Sequence, residues 1–371
     1  MDELRLKESF ARVAAHGDEV ALFFYSHLFL SHPELREMFP VSMADQRDRL
    51  LKALGQIVAD VSNHEALVPY LGGLGRDHRK FGTLAEHYPA VGASLLATLA
   101  HFSGLGWTED LARDWTEAYT VIAQVMTKAA ADDETINPPW WGATVAGHER
   151  RTMDVAVIKV MPDAPFSYVP GQSVAVESEA RPRLWRYYSM ASAPRADGTF
   201  DFHVRAIDGG SVSPALARGV TVGSRLRLGA PVGTLRLNMA SRRDVLLAAG
   251  STGLAPLKAM IEQAAELAEP PRMHLVVGAR AADGLYDLPD LEKMAAQYSW
   301  LTVTPTVSDQ PGYQGETGTV ADVISRQVPG GDHDTYVCGS SAMITATVSR
   351  LQSLGVPQDH IYVEDFGWSE S

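Results

Sequence analysis

Arg183–Ser192 reads RLWRYYSMAS, which gathers aromatic rings, arginine and serine without a helical apolar period. Alternation sets Trp185, Tyr187 and Ser189 on one face of a strand and Arg186, Tyr188 and Met190 on the other. An arginine two residues from a tyrosine on one face suits a phosphate joined to a flat ring. A barrel strand with a surface arginine gives the same pattern. Farther on, IDGGSVSPAL sets Gly209 and Gly210 before Ser211, Val212 and Ser213 at an expected helix start, which makes an anion cradle. AAGSTGLAPLKAM closes an apolar run with Gly250, Ser251, Thr252 and Gly253 and opens a helix with Pro256 near its first turn. YVCGSSAM repeats the device with Cys338 and Gly339. Neither turn has the G-x-G-x-x-G spacing, and glycines at such turns are common in folds that bind nothing. Ligands of α/β sheets lie beyond the strands' carboxyl ends, so both turns could address one dinucleotide. Cys338 also reads as a small buried apolar residue.

Near the other end, His78 stands on an apolar helix face in YLGGLGRDHRKFG. One histidine on such a face serves a core as readily as a metal. Its companions shift the balance. Tyr25 follows Phe23 and Phe24, Phe39 comes after HPELREM, Gln46 starts the next helix, and Tyr88 starts the helix after His78. An apolar cavity with a neutral imidazole on one side and a hydrogen-bonding pair on the other suits haem and dioxygen chemistry.

Three kinds of text must position these residues. Apolar stripes at helical spacing fill the first 130 or so residues, including Val20, Phe23, Phe24 and Leu28, then Leu71, Leu74, His78 and Phe81, then Leu111, Trp115, Tyr119, Ile122 and Met126. ADDETINPPWWGA then breaks the helical text with an acidic run and two prolines. Short β-rich runs such as TMDVAVIKVM, SVAVES and TFDFHVR follow, the signature of a small antiparallel barrel. From Asp244 strands alternate with helices, a βαβ layout with a parallel sheet. The boundaries expected are residues 1–136, a linker at 137–142, then 143–241 and 242–371.

The formal net charge of −13 over 371 residues argues against nucleic acid and anionic membranes as partners. One cysteine excludes an internal disulfide and a cysteine-based zinc or iron–sulfur site. The charged start MDELRLKESF lacks an apolar signal core, and no apolar run is long enough to span a membrane, so a cytoplasmic location is expected.

Arg186, Tyr187, Tyr188 and Ser189 match the R-x-Y-S flavin signature, and this part of the chain resembles the ferredoxin–NADP reductase superfamily. Pro170–Gln172, Gly209–Ser213, Gly250–Pro256, Val337–Gly339 and the tail YVEDFGW follow in the superfamily's order, so the resemblance covers residues 145–371. It implies that Arg186 pairs with the FAD pyrophosphate, Tyr188 stacks on the isoalloxazine and Ser189 bonds near its reactive nitrogen. It also implies that the Gly209–Ser213 turn holds the pyrophosphate, and that Phe366 and Glu364 lie near the flavin. The Gly250 turn then holds NADH or NADPH, with Cys338 at the nicotinamide. The helical part resembles a bacterial globin, and the whole chain resembles the flavohaemoglobins. That resemblance makes His78 the iron ligand of haem b and Tyr25 and Gln46 the distal pair. Leu50 becomes the distal wall, Phe39 the ring packed on the porphyrin and Tyr88 the proximal tyrosine. The implied fold is an all-α globin, an antiparallel β-barrel FAD domain and an α/β parallel-sheet NAD(P) domain.

Several positions depart from the family pattern. Ala130 stands where a glutamate usually bonds the proximal histidine, with Asp132 and Asp133 as nearby acids. Asp77 replaces the usual lysine before the ligand, Ser173 a tyrosine, and Asp365 a cysteine. The activity implied is nitric oxide dioxygenase, with O2, NO and NAD(P)H as the small-molecule partners and a monomeric state expected. The rival readings are an NAD(P)H oxidase or peroxide reductase on the same wiring, and a haem-based O2 or redox sensor.

Overall fold

The computed structural model describes residues 1–328 and 331–364, and the chain divides into two compact units between Trp140 and Trp141. The first unit is helical: α1 (Glu3–Ala14), α2 (Asp18–Ser31), α3 (Ala44–Ala59), α4 (His64–His78), α5 (Tyr88–Ser103) and α6 (Glu109–Glu134). Side-chain caps fix three of the helix starts. Asp2, Asn63 and Thr108 accept from the backbone N–H of Arg5, Ala66 and Leu111, satisfying donors that a helix start leaves free.

The stripes bury as their period requires. Val20, Phe24, Leu28, Leu95, Leu99, Leu111 and Trp115 share one core. A smaller cluster, Leu67, Leu71 and Met126, joins α4 to α6. The crossing there is close because residue 75 is glycine: a Cβ would strike the Met126 backbone. The stripe ending in Phe81 does not run through one helix. α4 stops at His78, and Phe81 lies in a 3-10 turn, Arg79–Phe81, closed by Gly82 at φ 76°. This left-handed residue ends the turn at a position glycine adopts without strain.

The second unit begins with the barrel: β1 (Trp141–Arg150), β2 (Val155–Pro162), β3 (Ser173–Ser178), β4 (Arg186–Ser189), β5 (Phe200–Arg205), α7 (Ser213–Gly219) and β6 (Arg225–Val232). The strands pair antiparallel in the order β4-β3-β6-β1-β2-β5. An antiparallel bridge from Met190 to Phe202 brings the two edges together, so the barrel is nearly closed. Val174, Val176, Met190, Phe200 and Phe202 fill its interior.

The remaining elements are β7 (Asp244–Gly250), α8 (Leu254–Ala265), β8 (Met273–Ala279), α9 (Leu288–Gln297), β9 (Leu301–Val307), β10 (Glu316–Thr317), α10 (Val320–Gln327), β11 (His333–Cys338), α11 (Ser341–Ser353) and β12 (Ile361–Val363). They build a parallel sheet ordered β10-β9-β8-β7-β11-β12. From β7 the chain moves outward to β10 and then returns to β11 on the other side. The strand order therefore reverses between β7 and β11, where open α/β sheets form their crevice. Among the described residues no helix is long and apolar enough to cross a membrane.

Candidate functional sites

In the helical unit, His78 closes α4 and its Nδ1 lies 2.7 Å from the Leu74 carbonyl oxygen, one helical turn back. A carbonyl only accepts, so Nδ1 carries the proton and Nε2 keeps its lone pair. Burial disfavours the imidazolium and lowers the pKa of His78, against a smaller opposing effect of Asp77. A neutral ring with one free nitrogen is what a metal ligand requires.

Tyr25 is buried in an aromatic cluster, with Phe29 at 5.8 Å and Phe39 at 5.5 Å between ring centroids. Leu50 packs against the same core. Gln46, on the first turn of α3, donates from Nε2 to Tyr25 Oη at 3.2 Å, and Oη donates to the Gln46 carbonyl at 3.4 Å. The second bond is long, so the phenol proton is readily redirected to a better acceptor. Burial raises the Tyr25 pKa, which keeps the group a donor. Arg49 bears electrostatically on both Tyr25 and Lys80, so one cation of α3 lies near the Tyr25–Gln46 pair and near the segment after His78. The pattern of apolar stripes gave no sign of Arg49.

Tyr88 is half-buried at the start of α5, and its carbonyl accepts from Tyr119 Oη at 2.6 Å. Its own hydroxyl makes no hydrogen bond to His78, whose Nδ1 Leu74 satisfies. Neither nearby acid reaches the imidazole. Asp132 pairs with Lys128 at 2.8 Å, and Asp133 pairs with Arg79 and accepts from Asn137 Nδ2 at 2.9 Å. Asp77 pairs with Lys80. Haem fits these residues: a neutral imidazole with a free nitrogen, aromatic and aliphatic walls, and a hydrogen-bonding pair.

In the second unit, β4 pairs with β3, so that Tyr188 faces Val174 and Ser189 faces Ser173. Tyr188 rests against Phe202 at 6.1 Å, and Arg186 Nη1 donates to the Trp185 carbonyl at 2.9 Å. Tyr187 is half-buried on the alternate face. Gly209 adopts φ 79° with open space beside its Cα. Val212 is buried in the barrel core, and Ser213 Oγ accepts from the Ile207 N–H at 3.1 Å. Arg181 Nε donates to the Ser211 carbonyl at 3.0 Å and braces this turn. Nothing in the spacing of motifs pointed to Arg181.

The two glycine turns meet. β7 and β11 are paired neighbours, with Ala249 beside Cys338. A Cβ on Gly339 would lie 2.9 Å from Met343 Sδ and 3.4 Å from Gly250 Cα, and one on Gly253 would strike the Cys338 carbonyl. Ser251 adopts φ 52°, a left-handed conformation rare outside glycine. Thr252 is half-buried beside it, and Pro256 is buried in α8. Cys338 is fully buried, which pushes its thiol pKa well up. Ser189 Oγ donates to Glu364, the residue after β12. Burial raises the Glu364 carboxyl to about 7, while the Ser189 bond pulls the other way. Residues from the barrel, from the sheet's switch point and from the end of β12 therefore converge. A flavin fits the Arg186–Ser189 strand and the braced Gly209 turn, and a dinucleotide fits the glycine-lined crevice. Phe366 lies outside the described residues.

Family comparisons follow the same division. The globin model matches residues 22–126, the oxidoreductase FAD-binding domain residues 143–237, and the oxidoreductase NAD-binding domain residues 246–349. A flavohemoprotein of Rhizobium meliloti (strain 1021) is 26% identical over 385 residues, covering 96% of this chain and 94% of its own. The ferredoxin–NAD(P)(+) reductase component of a Pseudomonas putida naphthalene 1,2-dioxygenase system is 32% identical over 225 residues, covering 60% of this chain and 68% of its own. A flavohemoglobin from Malassezia yamatoensis, solved with bound FAD and heme, shares the fold at TM-score 0.79 and 17% identity, over 98% of each chain. The chain belongs to the flavohaemoglobin family, as an NAD(P)H-dependent oxidoreductase whose cofactors are haem, FAD and a nicotinamide dinucleotide.

Proposed function

We propose that this chain is a nitric oxide dioxygenase, in which NO, O2 and one electron give nitrate. NAD(P)H supplies two electrons as hydride, FAD converts between hydride and single electrons, and haem iron supplies the centre at which dioxygen is activated. The chain's own residues do the rest. His78 offers Nε2 to the metal, and Leu74 holds the ring in the required tautomer. Tyr25 directs its phenol proton at a polar diatomic ligand, and Gln46 orients that phenol. Phe39 and Leu50 give that pair its apolar setting. In the reductase unit, Arg186 and Tyr188 hold the flavin, and Ser189 and Glu364 hold a proton near its reactive edge. The Gly250 and Gly339 turns admit the dinucleotide.

The observation that carries this reading is the buried Tyr25–Gln46 pair in the same aromatic core as Phe39, in the unit that holds His78. The test is NADH-dependent NO consumption in air by protein that shows haem and flavin absorbance. A rate at the background level overturns the proposal. O2 alone and a hydroperoxide, offered in the same assay, measure the oxidase and peroxide-reductase readings. The structure weighs against the second of these, because among the described residues no carboxylate bonds His78 Nδ1 to increase its electron donation.

A further inference from the structure

His203 is a buried histidine that none of the chemistry above uses. It lies on β5, where it is paired with Val157 of β2. Its Nδ1 is 2.7 Å from Tyr286 Oη, and the two rings meet edge-on at 5.3 Å and 86°. Tyr286 belongs to the α/β lobe, just before α9, so this hydrogen bond crosses from the barrel to the nucleotide lobe. Both side chains are nearly inaccessible, at 4% and 8% exposure, so breaking the bond leaves polar atoms that water cannot reach.

The neighbouring residues strengthen the crossing. Asp287, next to Tyr286, is fully enclosed and pairs with Lys258 of α8 at 2.5 Å and with Arg151 of the barrel at 3.8 Å. Arg151 also reaches Asp290 at 2.7 Å. Burial, with Lys258 and Arg151 adding to it and Asp290 opposing, holds the imidazole neutral. Two residues along the same face of β5, Arg205 reaches Ser251 Oγ at 3.3 Å. Ser251 and Tyr286 line one small cavity at the carboxyl ends of β7 and β8, with Leu254, Val277, Gly278 and Leu285. The barrel strand thus touches this cavity's wall at two points.

We propose that His203 is a positioning residue for the nicotinamide dinucleotide: through Tyr286 it lets the flavin lobe fix the wall of the cavity in the nucleotide lobe. This rests on the reading that the dinucleotide enters at the carboxyl ends of β7, β8 and β11. A wall set in the ground state acts on binding, so its loss raises KM and leaves kcat in place.

The test uses the full chain with haem and FAD bound, NADH as the donor and ferricyanide as the acceptor. Tyr286→Phe removes one oxygen and keeps the ring, and it is expected to raise the NADH KM about ten-fold with kcat within about two-fold. His203→Leu gives the same split, the double variant is no worse than either single one, and His203→Gln restores most of the affinity. Melting temperature and flavin absorbance report folding alongside. An unchanged KM in Tyr286→Phe and His203→Leu, or additive effects in the double variant, overturns the proposal. Gly339→Val separates the two readings. If it raises KM while Tyr286→Phe does not, only the positioning role fails. If it leaves KM unmoved, the placement of the dinucleotide fails as well.

Discussion

The helical unit and the reductase unit solve the same problem in different ways. Each must place a few polar groups in an apolar setting. In the helical unit the two candidate haem-site groups are satisfied close to home: His78 bonds the carbonyl one turn back on its own helix, and Tyr25 bonds Gln46. In the reductase unit the polar groups are satisfied across long separations. Ser189 bonds Glu364, and His203 bonds Tyr286. The first arrangement needs only helices packed by their stripes. The second exists only when the barrel and the parallel sheet are both complete. The difference predicts that faults in the helical unit stay local, whereas faults in the reductase unit are felt in both of its lobes.

The largest expected effect tests that locality. His78→Ala should abolish haem binding, read as loss of the Soret band, together with NO consumption, while NADH-dependent ferricyanide reduction stays within about two-fold of the parent. Loss of both activities would mean that the units are not energetically separate.

The next effect comes from the reductase unit's buried carboxyl. Glu364 stays protonated up to about 7 in the folded chain, against 4.5 for the free side chain. As pH rises the unfolded chain therefore releases its proton first. The contribution of this group is full below about 4.5 and is lost between about 4.5 and about 7, to a total of roughly 3 kcal/mol. Thermal melts at pH 5 and pH 8 should show the parent losing more stability at pH 8 than Glu364→Gln does. Equal slopes in the two proteins would show that burial does not govern this carboxyl.

A smaller effect is expected at the distal pair. Tyr25→Phe keeps the ring among Phe29 and Phe39 and removes one donor, so NO consumption should fall about ten-fold with haem content unchanged. A rate equal to the parent's would remove Tyr25 from the chemistry. The smallest effect compares the two units on one footing. Thr108 caps α6 and Ser340 caps α11 by the same hydrogen bond, to Leu111 and Met343. Thr108→Ala and Ser340→Ala should each cost about 1 kcal/mol in thermal stability. Unequal costs would show that one unit tolerates a frayed helix better than the other.

Much of the fold and many residues of the two candidate sites are legible in the sequence. The stripes through Val20, Phe24 and Leu28 and through Leu111 and Trp115 identify helices, because a period near 3.6 must bury one face. The runs around Val174, Phe200 and Leu246 identify strands. The turns at Gly250 and Gly339 are readable as strand-to-helix turns, because glycine, proline and the change of period are local signals, although such turns are common in folds that bind nothing. Arg181, Arg205, His203 and Tyr286 are not readable. Each acts through a partner 30 to 83 residues away, and side-chain type alone does not name that partner. The stripe also assigns Phe81 to the wrong element, because it continues in register past the point where Gly82 turns the chain.

The sequence by itself determined which segments are helix, barrel strand or crossover, since hydrophobic period and turn chemistry are local properties of the chain. It also determined which residue types were available to hold a metal, a flavin and a dinucleotide. Only the tertiary structure decided that His78 finds its partner on its own helix and that Asp133 turns to Arg79. It alone decided that Ser189 and Glu364 meet and that β5 reaches across to Tyr286. The reason is physical: a buried polar group must be satisfied, but many candidates can satisfy it, and packing chooses among them.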